Sequence, residues 1–120
     1  MWENGRVAGV RTRRGDLRAR VGSDSTVTPF QPLYGVYSAV NHSNPAERFS
    51  VERALRLYTL DSAALAFEEE DKGSIEVGRL SDLVVLSHDP MSVALEAIAD
   101  IAVEMTVVGG EIVYPKEALC

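Results

Sequence analysis

A pair of adjacent glycines near the carboxyl end constrains the fold more than any other feature. Gly109 and Gly110 separate two strand-like runs. The first, from Ile101 to Val107, alternates large apolar residues with smaller or polar ones, which is typical of a strand. Two glycines between such runs favour a tight hairpin, because both turn positions need a positive φ. The second strand of that hairpin is predicted at residues 112–114.

A third strand is predicted upstream of this hairpin. Leu83 to Leu86 is a short continuous apolar run, which indicates a strand buried on both faces. The stretch from Met91 to Ala99 fits a helix or a single turn of one. The last third of the chain is therefore predicted to be a small antiparallel β unit.

The middle of the chain has the periodicity of helices. Apolar residues recur at i, i+3, i+4 and i+7 in two stretches, namely Leu33, Val36, Tyr37 and Val40, and Val51, Ala54, Leu55 and Tyr58. Pro32 suits the start of the first helix. Ser50 is a good N-cap for the second, and Glu52 lies in its first turn, where the helix dipole favours an anion.

A further helical stretch is predicted to follow the second helix. Thr59 is expected to cap it, and it would run to Phe67. The acidic run from Glu68 to Asp71 is interpreted as a solvated helix end. Gly73 suits the left-handed position that follows a helix. Near the amino terminus, the alternating residues 17–21 predict one more short strand.

Composition places the chain among ordinary globular proteins. It has 120 residues, of which 46% are hydrophobic and 25% charged, enough for one small domain. No apolar run reaches the 18 residues of a membrane span, so we expect a cytoplasmic protein that binds no membrane. The single cysteine, Cys120, has no partner for a disulfide within the chain and lacks the surroundings of an activated thiol.

The charges are unevenly distributed along the sequence. Residues 1–20 contain six arginines and two acids, a local balance of +4 in a chain whose net charge is -6. A basic arm can bind nucleic acid. This arm has no aromatic residues interleaved beyond Trp2 and no helical stripe, so we interpret it as a solvated terminus and predict no nucleic-acid partner.

Four segments in order resemble a known enzyme family. In chain order they lie in VGSDSTVTPFQPLYGVYSAV, RFSVERALRLYTLDSAALAFEEEDKGSIEVGRLSDLVVLSHDP and MTVVGGEIVY. The most telling element is GSIEVGRLSDLVVL, which lies within the second of these stretches. Together they resemble the carboxyl-terminal end of the amidohydrolase superfamily, in its branch of formamide deformylase-like and imidazolonepropionase-like enzymes. These are metal-dependent hydrolases of C–N bonds.

The resemblance implies a fold of class α+β. It would comprise the last strand and helices of a (β/α)8 barrel, together with the carboxyl-terminal part of a composite β-sandwich built from both chain ends. We expect residues 1–16 to be a flexible basic arm outside the family, residues 17–72 to be the remnant of the barrel end, and residues 73–120 to be the β unit of the sandwich.

The resemblance also places one residue in an active site. In the family, an aspartate after the last barrel strand binds the metal and takes a proton from the attacking water, and Asp24 matches it. Barrel active sites lie at the carboxyl ends of strands, which agrees with that role. One carboxylate does not hold a catalytic zinc, because three protein ligands are usual. In the isolated chain, the favoured interpretation of Asp24 is a loop cap or helix N-cap beside Ser23 and Ser25.

The remaining polar residues are given structural roles. His42 and His88 lie in polar loops without a second ligand at metal-binding spacing, so both are interpreted as surface histidines. The family keeps an aspartate at the position of Asp82, and we expect it to bind backbone N–H groups in a turn. Ser23, Ser25, Ser38 and Ser50 lack a nearby histidine partner, so no nucleophile is predicted.

Two functional hypotheses follow from these observations. In the first, the chain is a fragment of a metal-dependent hydrolase of amides or cyclic amides. It is expected to be inactive alone, because the other metal ligands of the family are absent. The family uses zinc or another divalent metal, but the isolated chain is expected to bind no cofactor. Alternatively, it is an assembly module that forms a homo-oligomer or pairs with a separate chain carrying the barrel. An unpaired strand edge and an exposed apolar helix face would favour such association.

Overall fold

The structure, a computed structural model, describes residues 31–115 and the backbone of four two-residue strands nearer the amino terminus. These strands are β1 (Trp2–Glu3), β2 (Arg6–Val7), β3 (Arg11–Thr12) and β4 (Gly15–Asp16). β1 pairs with β2 and β3 with β4, both antiparallel, and the sequence pattern gave no sign of either pair. Asp24, Cys120 and the strand predicted at residues 17–21 lie outside the described residues.

Three helices form the middle of the chain, as the periodicity predicted. They are α1 (Pro32–Val40), α2 (Val51–Tyr58) and α3 (Leu60–Leu65). α1 begins at its proline, whose missing N–H costs nothing in the first turn. The Ser50 hydroxyl accepts the backbone N–H of Arg53 at 3.2 Å, which confirms the predicted N-cap of α2.

The end of the helical region differs from the prediction. Thr59 occupies the N-cap position of α3, but its hydroxyl makes no capping bond and donates instead to the carbonyl oxygen of Leu55 at 2.9 Å. α3 ends before Phe67, which adopts a left-handed φ of 60°. The N–H of Glu68 donates to the carbonyl of Ala63 at 3.0 Å, the six-to-one bond of a Schellman motif. The acidic run therefore follows the helix and does not belong to it.

The last third forms a three-stranded antiparallel sheet in the order β5-β6-β7. Its strands are β5 (Leu83–Leu86), β6 (Val103–Val108) and β7 (Glu111–Tyr114). Gly109 and Gly110 have φ values of 58° and 84°, which confirms the glycine hairpin between β6 and β7. A 3-10 helix, Leu95–Asp100, lies in the region predicted as a helix or a turn.

The core lies among the helices. α1 packs against α2 and against the 3-10 helix, and α2 packs against α3. The hydrophobic core of the described residues consists of Val36, Val40, Ala54, Leu57, Ala63, Ile98 and Ile101. None of them belongs to the sheet. Asn41 links the end of α1 to the 3-10 helix, because its side-chain amide donates to the carbonyls of Tyr37 at 3.0 Å and of Leu95 at 2.9 Å.

The prediction that β5 is buried on both faces was wrong. Val84 is 54% exposed and Val85 44% exposed, although β5 is a strand as expected. The described residues provide one neighbouring strand, β6, and no layer that covers either face of β5. The class α+β is confirmed, with helices and an antiparallel sheet in one small unit. Within the described residues, no helix is long and apolar enough to cross a membrane.

Candidate functional site

Asp82 joins the start of β5 to the β6–β7 turn. Its Oδ1 accepts the backbone N–H of Gly109 at 2.8 Å. Beside it, the N–H of Gly110 donates to the carbonyl of Ser81 at 3.0 Å. These bonds satisfy the N–H groups of both turn glycines and fix the hairpin against β5. The predicted role of Asp82, binding backbone N–H groups in a turn, is confirmed.

Arg79 organises the loop that precedes β5. Its guanidinium donates to the backbone carbonyl of Glu69 and to that of Lys72, the latter at 3.1 Å. Its Nε lies 2.5 Å from a carboxylate oxygen of Glu76. A planar group with five N–H donors can bind several acceptors at once, which a lysine cannot do in the same way. Arg79 was not among the residues predicted to have a role, although it lies in the stretch between Gly78 and Asp82 that carries the resemblance.

The acidic run from Glu68 to Asp71 is tied to its own loop. The Nζ of Lys72 lies 2.6 Å from a carboxylate oxygen of Glu68. This hydrogen bond, together with the negative charge of Glu68, raises the pKa of Lys72 above its ordinary value. The N–H of Leu80 donates to the carbonyl of Asp71 at 2.7 Å. The run makes loop contacts and is mostly exposed, so it has the solvated character expected of it.

An open hollow of about 690 Å³ lies between the helices and β5. Its lining residues are Tyr58, Thr59, Ser62, Ala63, Glu68, Lys72, Gly73, Ser74, Ile75, Asp82, Leu83, Val84 and Val85. Its charged groups have structural partners already: Glu68 pairs with Lys72, and Asp82 binds Gly109. The lining contains no cysteine or histidine, so no nucleophile and imidazole base are brought together there.

The two histidines lie in loops, as predicted. The Nδ1 of His42 accepts the N–H of Asn44 at 3.1 Å, and its Nε2 lies 3.7 Å from a carboxylate oxygen of Glu47. His88 is exposed, with its Nδ1 3.0 Å from the hydroxyl of Ser87.

The described side chains do not fit a metal centre. Within residues 31–115, no group of three or more histidine, cysteine, aspartate or glutamate side chains is placed to hold a metal ion. A catalytic zinc needs three protein ligands, so the described residues do not supply a site for the metal that the resemblance implies.

Comparisons with known proteins agree on one family. The model of the amidohydrolase family matches residues 11–114. YtcJ of Bacillus subtilis, described as an amidohydrolase, is 35% identical over 105 residues, which cover 79% of this chain and 20% of that protein. The N-substituted formamide deformylase of Arthrobacter pascens is 28% identical over 107 residues, covering 83% of this chain and 20% of the enzyme.

A solved structure gives the same answer. The crystal structure of an amidohydrolase from Thermotoga maritima matches with a TM-score of 0.58 and 26% identity, covering 76% of this chain and 21% of that one. The chain thus spans about a fifth of the length of the relatives it matches. Because the family model matches most of its residues, this chain belongs to the amidohydrolase family.

Proposed function

We propose that this chain is the carboxyl-terminal part of a metal-dependent hydrolase of amide or cyclic-amide C–N bonds, and that it is inactive without the rest of the barrel. One observation supports this most strongly. The family match extends over residues 11–114, yet the relatives are about five times longer than the part they share with this chain. One of those relatives is named for the deformylation of N-substituted formamides.

The chemistry of amide hydrolysis supports the second half of the proposal. A metal-assisted hydrolase needs several protein ligands and a carboxylate that orients the attacking water and accepts its proton. On this proposal, Asp24 is the carboxylate that the chain contributes. The other ligands then come from the barrel, because the described residues do not assemble a ligand set.

The described residues serve as a support in this proposal. Asp82 and Arg79 hold the sheet and its preceding loop in place through bonds to backbone groups. The partners of these two side chains are backbone groups and the carboxylate of Glu76, which is the pattern of a structural role. Their substitution is therefore expected to change the stability of the segment and to leave the specificity of a complete enzyme unchanged.

The chain alone provides the first test. It is purified without chelator and supplied with zinc, and its metal content is measured together with the hydrolysis of N-substituted formamides and cyclic amides. We expect far less than one metal per chain and no hydrolysis. One metal per chain that disappears in Asp24→Ala but persists in the control Asp100→Ala would refute the proposal, since the chain would then hold a complete ligand set.

A second candidate is an assembly module that pairs with itself or with a separate chain bearing the barrel. The exposed apolar residues of β5 favour it, since nothing among the described residues covers them. The test is co-production with the Bacillus subtilis relative from which the matching stretch has been deleted. Co-purification that is lost in Val84→Lys supports this candidate, and separate elution of the two chains contradicts the pairing with a barrel chain.

A further inference from the structure

We draw no further inference here: the strongest candidate, the exposed apolar surface that Phe67, Ile75 and Val77 form in the segment between α3 and β5, carries nothing, because no feature of the described residues shows what covers it.

Discussion

Replacing Asp82 should loosen the β6–β7 turn from β5. In Asp82→Ala, the N–H of Gly109 loses the acceptor that now lies 2.8 Å away. A hydrogen bond to a charged group contributes about 1.5–3 kcal/mol, and a neutral one about 0.5–1.5 kcal/mol. Asp82 is exposed, so water can replace part of the bond. We therefore expect the free energy of unfolding to fall by about 1 kcal/mol.

Two measurements check this expectation. Chemical denaturation followed by circular dichroism gives the change in the free energy of unfolding. Hydrogen exchange followed by NMR reports on the Gly109 amide itself, whose exchange should be about five times faster if the local opening costs about 1 kcal/mol less. Asp82→Asn keeps the acceptor oxygen and loses the charge, so its effect should be smaller.

Glu111→Ala is the control, because it removes another exposed carboxylate from the same hairpin. It should leave the Gly109 amide unchanged. The explanation is refuted if Glu111→Ala and Asp82→Ala accelerate exchange equally, because the effect would then come from net charge. It is also refuted if the Gly109 amide exchanges at the same rate in Asp82→Ala as in the unmodified chain.

Three further predictions concern packing, backbone strain and titration. Gly35→Ala should lower the free energy of unfolding by about 1–3 kcal/mol in chemical denaturation, because an added Cβ would lie 1.8 Å from the Tyr58 hydroxyl. Adding Tyr58→Leu to this variant should restore part of the lost stability. Phe67→Gly should stabilise it by about 0.5–1 kcal/mol, since Phe67 is 92% exposed and has a left-handed φ, whereas Phe67→Ala should not. NMR titration of the Lys72 ammonium should give a pKa above the ordinary value, and Glu68→Gln should lower that pKa. The stabilisation from this pair should be present below the pKa that Lys72 has in the unfolded chain. It should be lost as the pH rises through the pKa of Lys72 in the folded chain.

Local rules predicted the elements that depend on neighbouring residues. The proline at the start of α1, the Ser50 cap of α2 and the glycine pair of the β6–β7 hairpin each act within a few residues. The structure confirms all three. The role of Asp82 was also predicted, although its bond to Gly109 spans 27 positions, because the family pattern marked it.

The errors occurred where distant parts of the chain decide the outcome. The apolar run of β5 indicated a buried strand, yet burial depends on a covering layer, and the described residues supply none. The end of α3 depends on Phe67 adopting a left-handed φ, which a bulky residue rarely does and no pattern announces. Arg79 was missed because its carbonyl partners are backbone atoms, which the sequence does not display.

The candidate site was predictable only in part. The resemblance named Asp24 as the residue of the active site, and that assignment stays a prediction because the residue lies outside the described part of the chain. Both histidines lie in loops, as the sequence predicted, and each contacts a group of its own loop. On the proposed function, the other metal ligands come from the barrel, and the described residues carry no signal for them.

A chimera tests the central claim most directly. The stretch of the Arthrobacter pascens deformylase that matches this chain is replaced by the corresponding residues of this chain, and metal content and hydrolysis of an N-substituted formamide are measured with and without Asp24→Ala. Our account predicts that the chimera binds metal and hydrolyses the formamide, and that Asp24→Ala lowers both, while Asp100→Ala lowers neither. A chimera whose metal content and rate are the same with and without Asp24 would contradict the claim that this chain contributes a working part of a hydrolase barrel.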